Sequence, residues 1–206
     1  MKHVDPGQFS FPASTPTAIS PADYAQALHP AGSRGKPSLC AKNPDGTIYS
    51  RCMLPDEAAH NVDLWLEAET YISMNRFHGP RRAENLAELN ALILDLDTYR
   101  AALLAGQDAP TLLQSFETHW ARIGLPRPSF LIHSGPGAYA IWLHDPLPAA
   151  AQSRWSALLR HMIGTCANLG ADPACSDAAR ILRVPGSHNG KTGRMVTILS
   201  GSGQRF

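Results

Sequence analysis

Apolar side chains recur along this chain with two periods, one of three to four residues and one of two. The helical period is clearest over Pro110–Ile123 and Ala149–Leu169, and each segment ends just before a glycine. A shorter helix is predicted over Pro21–Leu28, which a serine precedes and a proline opens. Another helix is expected to start after Pro55 and run toward Glu67.

The strand signals lie mainly in the second half of the chain. Asn90–Leu96 is a continuous apolar run of the length of a buried strand, and Ser129–His133 and Ala138–Leu143 form a hairpin pattern around SGPG. Further short strands are predicted at Thr70–Met74, Ile181–Val184 and Met195–Leu199. Mixed hairpins and helices predict an α+β fold with a largely antiparallel sheet.

Length and composition indicate one folded domain. Residues 1–20 are rich in proline, serine and threonine and are predicted to be a flexible lead-in, with residues 21–206 as the single domain. The chain stops at GSGQRF just after a predicted strand, so we expect the natural protein to continue past Phe206. The apolar runs are shorter than the ~20 residues of a membrane helix, and we expect a cytoplasmic protein.

Charge alone does not choose between function classes. Eighteen Lys and Arg against 17 Asp and Glu give +1, which neither supports nor excludes nucleic acid as a partner. Two segments, Tyr71–Arg82 and Ala178–Phe206, carry arginines and no acid, as solvated surfaces and phosphate-binding surfaces both do. The four cysteines form no CxxC pair and are predicted to be reduced, with a zinc site of Cys40, Cys52 and His60 as the weaker alternative.

Candidate chemistry begins in the segment LILDLD, where Asp95 and Asp97 end the buried strand. Alternation along a strand places both carboxylates on one face, roughly 6–7 Å apart. Their repulsion is relieved by a cation, and hard carboxylate oxygens suit Mg²⁺ or Mn²⁺. The alternative is a strand that simply ends in a solvated loop.

The hairpin FLIHSGPGAYAIWL supplies a second candidate. Its glycines let backbone N–H groups approach an anion closely, although SGPG is equally good turn chemistry. His133 and Tyr139 flank the turn, where each could reach a nucleotide or pack in the core.

The third candidate is GADPACSDAARILRVPGSHNGKTG. Asp172 and Asp177 precede the cations Arg180, Arg183 and Lys191, and this combination suits phosphoryl transfer from a nucleoside triphosphate. The structural alternative is that one of the arginines pairs with Asp177.

In their order, these three segments resemble the three motifs of the archaeo-eukaryotic primase superfamily. They are LILDLD, SGPGAYAIW and DPACSDAARILRVPGSHNGKTG. The similarity covers Tyr71 to Gly193 and is closest to plasmid- and phage-encoded RepB-like primases and primase-polymerases. The resemblance implies an RNA-recognition-like antiparallel catalytic sheet with flanking helices and an adjoining N-terminal α/β layer.

The resemblance also implies roles for individual residues. Asp95, Asp97 and Asp172 would hold two Mg²⁺ or Mn²⁺ ions, with no organic cofactor. Many relatives carry a histidine where this chain has Tyr139. The residues expected at the nucleotide are Ser134, Gly135, Gly137, Tyr139, Arg180, Arg183, Asn189 and Lys191. The residues hypothesised to contact a template are Arg76, Arg81, Arg82 and Trp142, with Phe77 as a further stacking candidate.

The predicted function is therefore that of a DNA primase or primase-polymerase. It would join NTPs or dNTPs on a single-stranded DNA template during plasmid or phage replication, with a replicative helicase as a possible partner. The alternative is a catalytically reduced primase-fold module that binds DNA at a replication origin. A module of that kind would need no divalent metal to hold its ligand.

Overall fold

The structure is a computed structural model that describes residues 19–32, 34–66 and 69–206. All but the last two residues of the predicted lead-in 1–20 lie outside this described part. The helices are α1 Pro21–Leu28, α2 Pro55–Asn61, α3 Ala109–Ile123 and α4 Gln152–Thr165. The strands are β1 Ser38–Lys42, β2 Ile48–Cys52, β3 Glu69–Ser73, β4 Arg76–Phe77, β5 Leu86–Leu96, β6 Phe130–His133, β7 Ala138–Pro148, β8 Ile181–Arg183 and β9 Thr197–Gly201.

Local capping explains where the helices begin and end. Ser20 and Asp23 form a reciprocal capping box at the start of α1, and Asp108 caps α3 by accepting from the Thr111 N–H. Gly124, in the left-handed conformation at φ 72°, ends α3 as its sequence predicts. No helix among the described residues is long and apolar enough to cross a bilayer.

Several predicted boundaries are corrected, among them β5, which begins at Leu86 and not at Asn90, and β7, which runs to Pro148 and not to Leu143. The helix predicted over Ala149–Leu169 has its α-helical part only at Gln152–Thr165, because 3₁₀ turns occupy both ends. After α2, the chain continues as a 3₁₀ turn at Val62–Trp65, and Glu67 lies outside the described residues. The strand predicted at Met195 begins at Thr197, because Met195 forms an isolated bridge within a turn.

The strands form two antiparallel sheets, with the orders β2-β1-β3-β8 and β4-β5-β7-β6-β9. The predicted α+β class with an antiparallel sheet and an adjoining N-terminal layer is confirmed. The sequence pattern did not reveal that β8, from the third motif, adds to the N-terminal four-stranded sheet beside β3. This crossing brings the third motif between the two sheets.

The two faces of the five-stranded sheet have different surroundings. Trp142 of β7 meets Trp120 of α3 edge to face, and the indole of Trp155 in α4 donates to the Ala91 carbonyl. Tyr139, three residues before Trp142, therefore lies on the other face, because side chains alternate along a strand. On that face Tyr139 is the cross-strand partner of Asp95 in β5, and both side chains face the four-stranded sheet.

Burial overturns part of the hypothesised template surface. Arg76 is fully buried and bonds to the Pro30 carbonyl, to Asn90 and, at 3.5 Å, to Glu88. Trp142 is 4% exposed, and its indole N–H donates to a backbone carbonyl. Phe77 is fully buried as well. These three side chains are held inside the core, so the expectation that they contact a template is wrong.

The remaining template candidates lie nearer the surface. Arg81 donates to the Ala179 carbonyl at 2.6 Å and so ties its loop to the third motif. Arg82 has a side chain 70% exposed, 3.9 Å from Glu84, and is free to meet a ligand.

The cysteines are free thiols, and among the described residues no zinc-type cluster forms around Cys40 and Cys52.

Candidate active site

A short antiparallel bridge brings the first and third motifs together. Leu96 pairs with Ala171; the Asp172 N–H donates to the Asp95 carbonyl at 2.8 Å, and the Asp97 N–H donates to the Gly170 carbonyl at 2.8 Å. Asp95 and Asp172 are therefore direct neighbours across the bridge, although 77 positions of sequence separate them (172 minus 95). Both acids were candidates in the sequence, but the sequence did not predict that they are neighbours across a bridge.

Gly170 makes the bridge possible. Its φ is +83°, in the left-handed region, and a Cβ there would lie 2.5 Å from the Asp97 carbonyl oxygen. The helix end therefore turns sharply and passes against the end of β5 without a side chain between them. The predicted helix-ending glycine thus has a second role in placing Asp172.

Electrostatics at the bridge favour a bound cation. Burial, and then the charge of Asp97, raise the pKa of Asp95 to about 6 from its ordinary value of 3.8. Asp172 acts in the same direction, whereas Arg180 and Arg183 lower that pKa. The two arginines thus compensate only part of the repulsion, and a divalent ion would compensate the rest.

The donor set fits Mg²⁺ or Mn²⁺, but two of the three carboxylates have other partners. Asp97 lies 3.2 Å from Arg100, and Asp172 accepts from the Ala174 N–H at 3.0 Å. Within the described residues, no group of three or more His, Cys, Asp or Glu side chains is arranged to hold an ion. Since the Arg100 side chain is 66% exposed, an ion could replace its contact at small cost.

The SGPG turn packs against both other motifs. A Cβ on Gly137 would lie 2.5 Å from the Leu96 carbonyl oxygen, and one on Gly135 would lie 2.7 Å from Nδ2 of Asn189. Asn189 donates from that nitrogen to the Ser134 carbonyl at 2.6 Å. Gly137 therefore lets the turn pass against the backbone at the end of β5, and Gly135, at φ +116°, leaves room for the Asn189 side chain.

Arg183 connects the two sheets. Its Nη1 donates to the Tyr139 hydroxyl at 3.0 Å, while Nε and Nη2 donate to one carboxylate oxygen of Glu69 at 2.8 and 2.6 Å. Burial and the nearby Asp95 charge raise the pKa of Tyr139, so its hydroxyl remains neutral. Tyr139 therefore belongs to the site as a partner of Arg183. Sequence reasoning missed Glu69, which precedes the predicted strand at Thr70 by one residue.

The remaining predicted residues divide into two groups. Arg180 lies near Asp95 and donates to the Ala174 carbonyl, whereas Asp177 accepts from the Ala179 N–H at 2.9 Å. Among the described residues neither Arg180 nor Arg183 forms an ion pair with Asp177. Lys191 is exposed and extends from the turn that Asn189 anchors.

His133 is placed apart from the aspartates. It lines a cavity of about 240 Å³ with Tyr99 and Arg194, on the side of the SGPG turn next to α3. In strand alternation it faces away from the neighbouring Ile132, which stands opposite Tyr139. The structure therefore separates the two residues that flank the turn in sequence.

The chain is similar in sequence to known replication proteins. Residues 108–197 match the family model of the RepB DNA-primase N-terminal domain. A replication protein of Clostridium perfringens is 39% identical over 178 residues, which are 86% of this chain. The chain spans 42% of the length of that relative.

Solved structures show the same fold. The archaeo-eukaryotic primase domain of the cyanophage S-2L primase-polymerase superposes with a TM-score of 0.57 at 20% identity, over 84% of each chain. The catalytic domain of primase RepB′ in complex with initiator DNA gives a TM-score of 0.57 at 15% identity, over 90% of this chain and 87% of that one. The fold is that of primase catalytic domains, and the resemblance seen in the three motifs is confirmed.

Proposed function

We propose that this chain, which carries a RepB DNA-primase N-terminal domain and the fold of primase catalytic domains, is the catalytic part of a replication primase. It would join nucleotides on single-stranded DNA in a reaction that depends on two divalent metal ions. The alternative module without catalysis is disfavoured because Asp172 stands across a backbone bridge from Asp95, whose pKa the charges of both Asp97 and Asp172 raise.

The observation that carries the proposal is the bridge between Leu96 and Ala171. A scaffold used only to bind DNA has no need to hold Asp95 beside Asp172, since their repulsion costs stability. Such a cost is expected where the acids serve a ligand. A divalent cation is the ligand that this donor set fits.

In the proposed reaction, Asp95, Asp97 and Asp172 hold the metal ions. Bound Mg²⁺ or Mn²⁺ would lower the pKa of the attacking 3′-hydroxyl and neutralise the departing pyrophosphate. A bond forms between the 3′-oxygen and the α-phosphorus, the bond from that phosphorus to the bridging oxygen breaks, and the hydroxyl proton passes to water.

The basic groups would hold the triphosphate in line for this attack. Arg180 and Arg183 place positive charge beside Asp95, and Lys191 extends from the adjoining turn. The SGPG turn would add backbone N–H groups at Ser134 and Gly135. Either NTPs or dNTPs would suit these contacts, which involve phosphate and not the sugar.

A single-stranded DNA template is the proposed macromolecular partner. The exposed Arg82 and the acid-free segment 178–206, which includes Arg180 and Arg183 beside Asp95, would supply positive charge to the DNA. The RepB′ catalytic domain, whose fold this chain shares, has been solved with initiator DNA. A replicative helicase is a further proposed partner in plasmid or phage replication.

Primer synthesis on single-stranded DNA with labelled nucleotides tests the function. Wild-type protein is compared with the Asp95→Ala/Asp97→Ala variant, with Mg²⁺ and separately with Mn²⁺. Short products that need metal and disappear in the variant are expected. Metal-independent DNA binding by a folded protein that makes no product would overturn the proposal in favour of the DNA-binding module.

A further inference from the structure

Glu69 is the most heavily bonded carboxylate next to the site, and the reaction described above does not use it. One of its oxygens accepts from Nε and Nη2 of Arg183 and, at 2.6 Å, from the Tyr71 hydroxyl. The other lies 3.6 Å from Nζ of Lys42. The Glu69 side chain is 8% exposed, so these contacts are formed largely out of water.

Glu69 also contacts the polar turn of the third motif. The Gly190 N–H donates to its carboxylate, and a Cβ on Gly190 would lie 2.6 Å from Oε2 of Glu69. On its other side the same turn is held by Asn189, which donates to the Ser134 carbonyl. The turn His188–Gly193 is thus clamped between β3 and the SGPG turn.

The geometry of Arg183 follows from Glu69 as well. The guanidinium lies 5.1 Å from the centroid of the Tyr71 ring and donates to Tyr139, the cross-strand neighbour of Asp95. With two N–H groups committed to Glu69, the plane of the guanidinium is fixed, and its other N–H groups have a defined direction. A flexible arginine would lose more entropy on binding a phosphate.

Glu69 carries its charge at neutral pH. Burial opposes ionisation, but hydrogen bonds from Tyr71 and Arg183 and the charge of Arg183 outweigh it, so the pKa of Glu69 lies below its ordinary value. Tyr71, Arg183 and the Gly190 N–H all donate to this carboxylate, and Lys42 adds a positive charge beside it. An uncharged amide of the same shape would direct its N–H₂ group at donors.

We propose that Glu69 is a positioning residue for nucleotide binding, which holds both Arg183 and the Gly190 turn in the orientation that receives the triphosphate. The inference rests on the proposed function for its ligand, whereas the positioning itself can be measured without any ligand. It assigns a role to the first residue of β3, outside the three motifs.

The test compares Glu69→Gln with two controls. Glu84→Gln makes the same charge change at a side chain 67% exposed, and Tyr71→Phe removes one donor while keeping the ring under Arg183. Hydrogen exchange of the 186–194 peptide in ligand-free protein should become about tenfold faster in Glu69→Gln, since the Gly190 N–H loses its carboxylate acceptor. Glu84→Gln should exchange like the wild type, and Tyr71→Phe, which keeps the carboxylate that accepts from the Gly190 N–H, should change exchange less than Glu69→Gln does. Unchanged exchange in Glu69→Gln would overturn the proposal.

Kinetics supply the second measurement. In metal-supported primer extension, Glu69→Gln should raise the KM for nucleotide about tenfold and change kcat less than about threefold. The reason is that the substitution weakens nucleotide binding and leaves the chemical step almost unchanged. A fall in kcat alone would overturn the positioning role. A wild type that makes no product would refute the proposed function, and the exchange measurement would still decide the role of Glu69.

Discussion

Replacing Asp95 by asparagine should stabilise the metal-free protein at neutral and alkaline pH. The pKa of this carboxyl is about 6 in the folded chain against an ordinary value of 3.8, chiefly because of burial and the charge of Asp97. That difference corresponds to roughly 3 kcal/mol by which ionisation opposes folding. Asparagine keeps the shape and removes the charge.

The sign of the pH dependence follows from the raised pKa. Below pH 3.8 the carboxyl is neutral in both the folded and the unfolded chain, and the penalty is absent. The penalty grows as the pH rises toward about 6 and is constant above that value. The advantage of Asp95→Asn should therefore be large at pH 8 and small near pH 4.

Urea unfolding in EDTA at both pH values measures this effect, with the exposed Asp63→Asn as the matched control. Added Mn²⁺ should then stabilise the wild type more than the variant, because the ion binds the charged site. A variant less stable than wild type at pH 8, or one with the same gain at pH 4, would refute this reasoning.

Three further substitutions test the placement of individual residues. Arg76→Ala should destabilise the protein by ~3–5 kcal/mol in urea unfolding, because it leaves Glu88 buried without its ion-pair partner. Gly170→Ala should cost more than ~1–2 kcal/mol in the same assay and abolish primer synthesis, since alanine is strained at φ +83° and its Cβ would meet the Asp97 carbonyl. Arg82→Ala should leave stability within ~0.5 kcal/mol and weaken binding of single-stranded DNA with a shallower salt dependence, measured by fluorescence anisotropy.

Each of these expectations has a contrary result. A stable Arg76→Ala protein with weakened DNA binding would restore Arg76 as a template contact. Full synthesis by Gly170→Ala would show that the bridge beside Asp97 does not place Asp172. Unchanged DNA affinity and salt dependence in Arg82→Ala would remove the last of the exposed template candidates.

Local signals in the sequence predicted most of the elements. Ser20 and Pro21 mark the start of α1, and Gly124 marks the end of α3, because caps depend on a few adjacent residues. The continuous apolar run at Asn90–Leu96 correctly indicated the buried strand that carries Asp95. The motif order then indicated the primase resemblance.

Long-range contacts could not be read from the same signals. In the sequence, Arg76 and Trp142 have the residue types that contact nucleic acid at a protein surface. Arg76 can nevertheless be buried, because Glu88 and Asn90 pair with its guanidinium. Glu69 looked like an ordinary polar residue, because its importance arises from Arg183, 114 positions away. Pairing between distant segments is set by tertiary packing and leaves no local period.

The most direct test of the central claim is dinucleotide formation with Asp172→Asn beside Asp177→Asn. These acids lie five positions apart, yet only Asp172 stands across the bridge from Asp95, while Asp177 accepts from the Ala179 N–H. With Mn²⁺ and a single-stranded template, the wild type and Asp177→Asn should release one pyrophosphate for each bond formed, and Asp172→Asn should release none. Equal synthesis by both variants, or none by a folded wild type, would contradict the assignment of the three aspartates as the metal-binding catalytic centre.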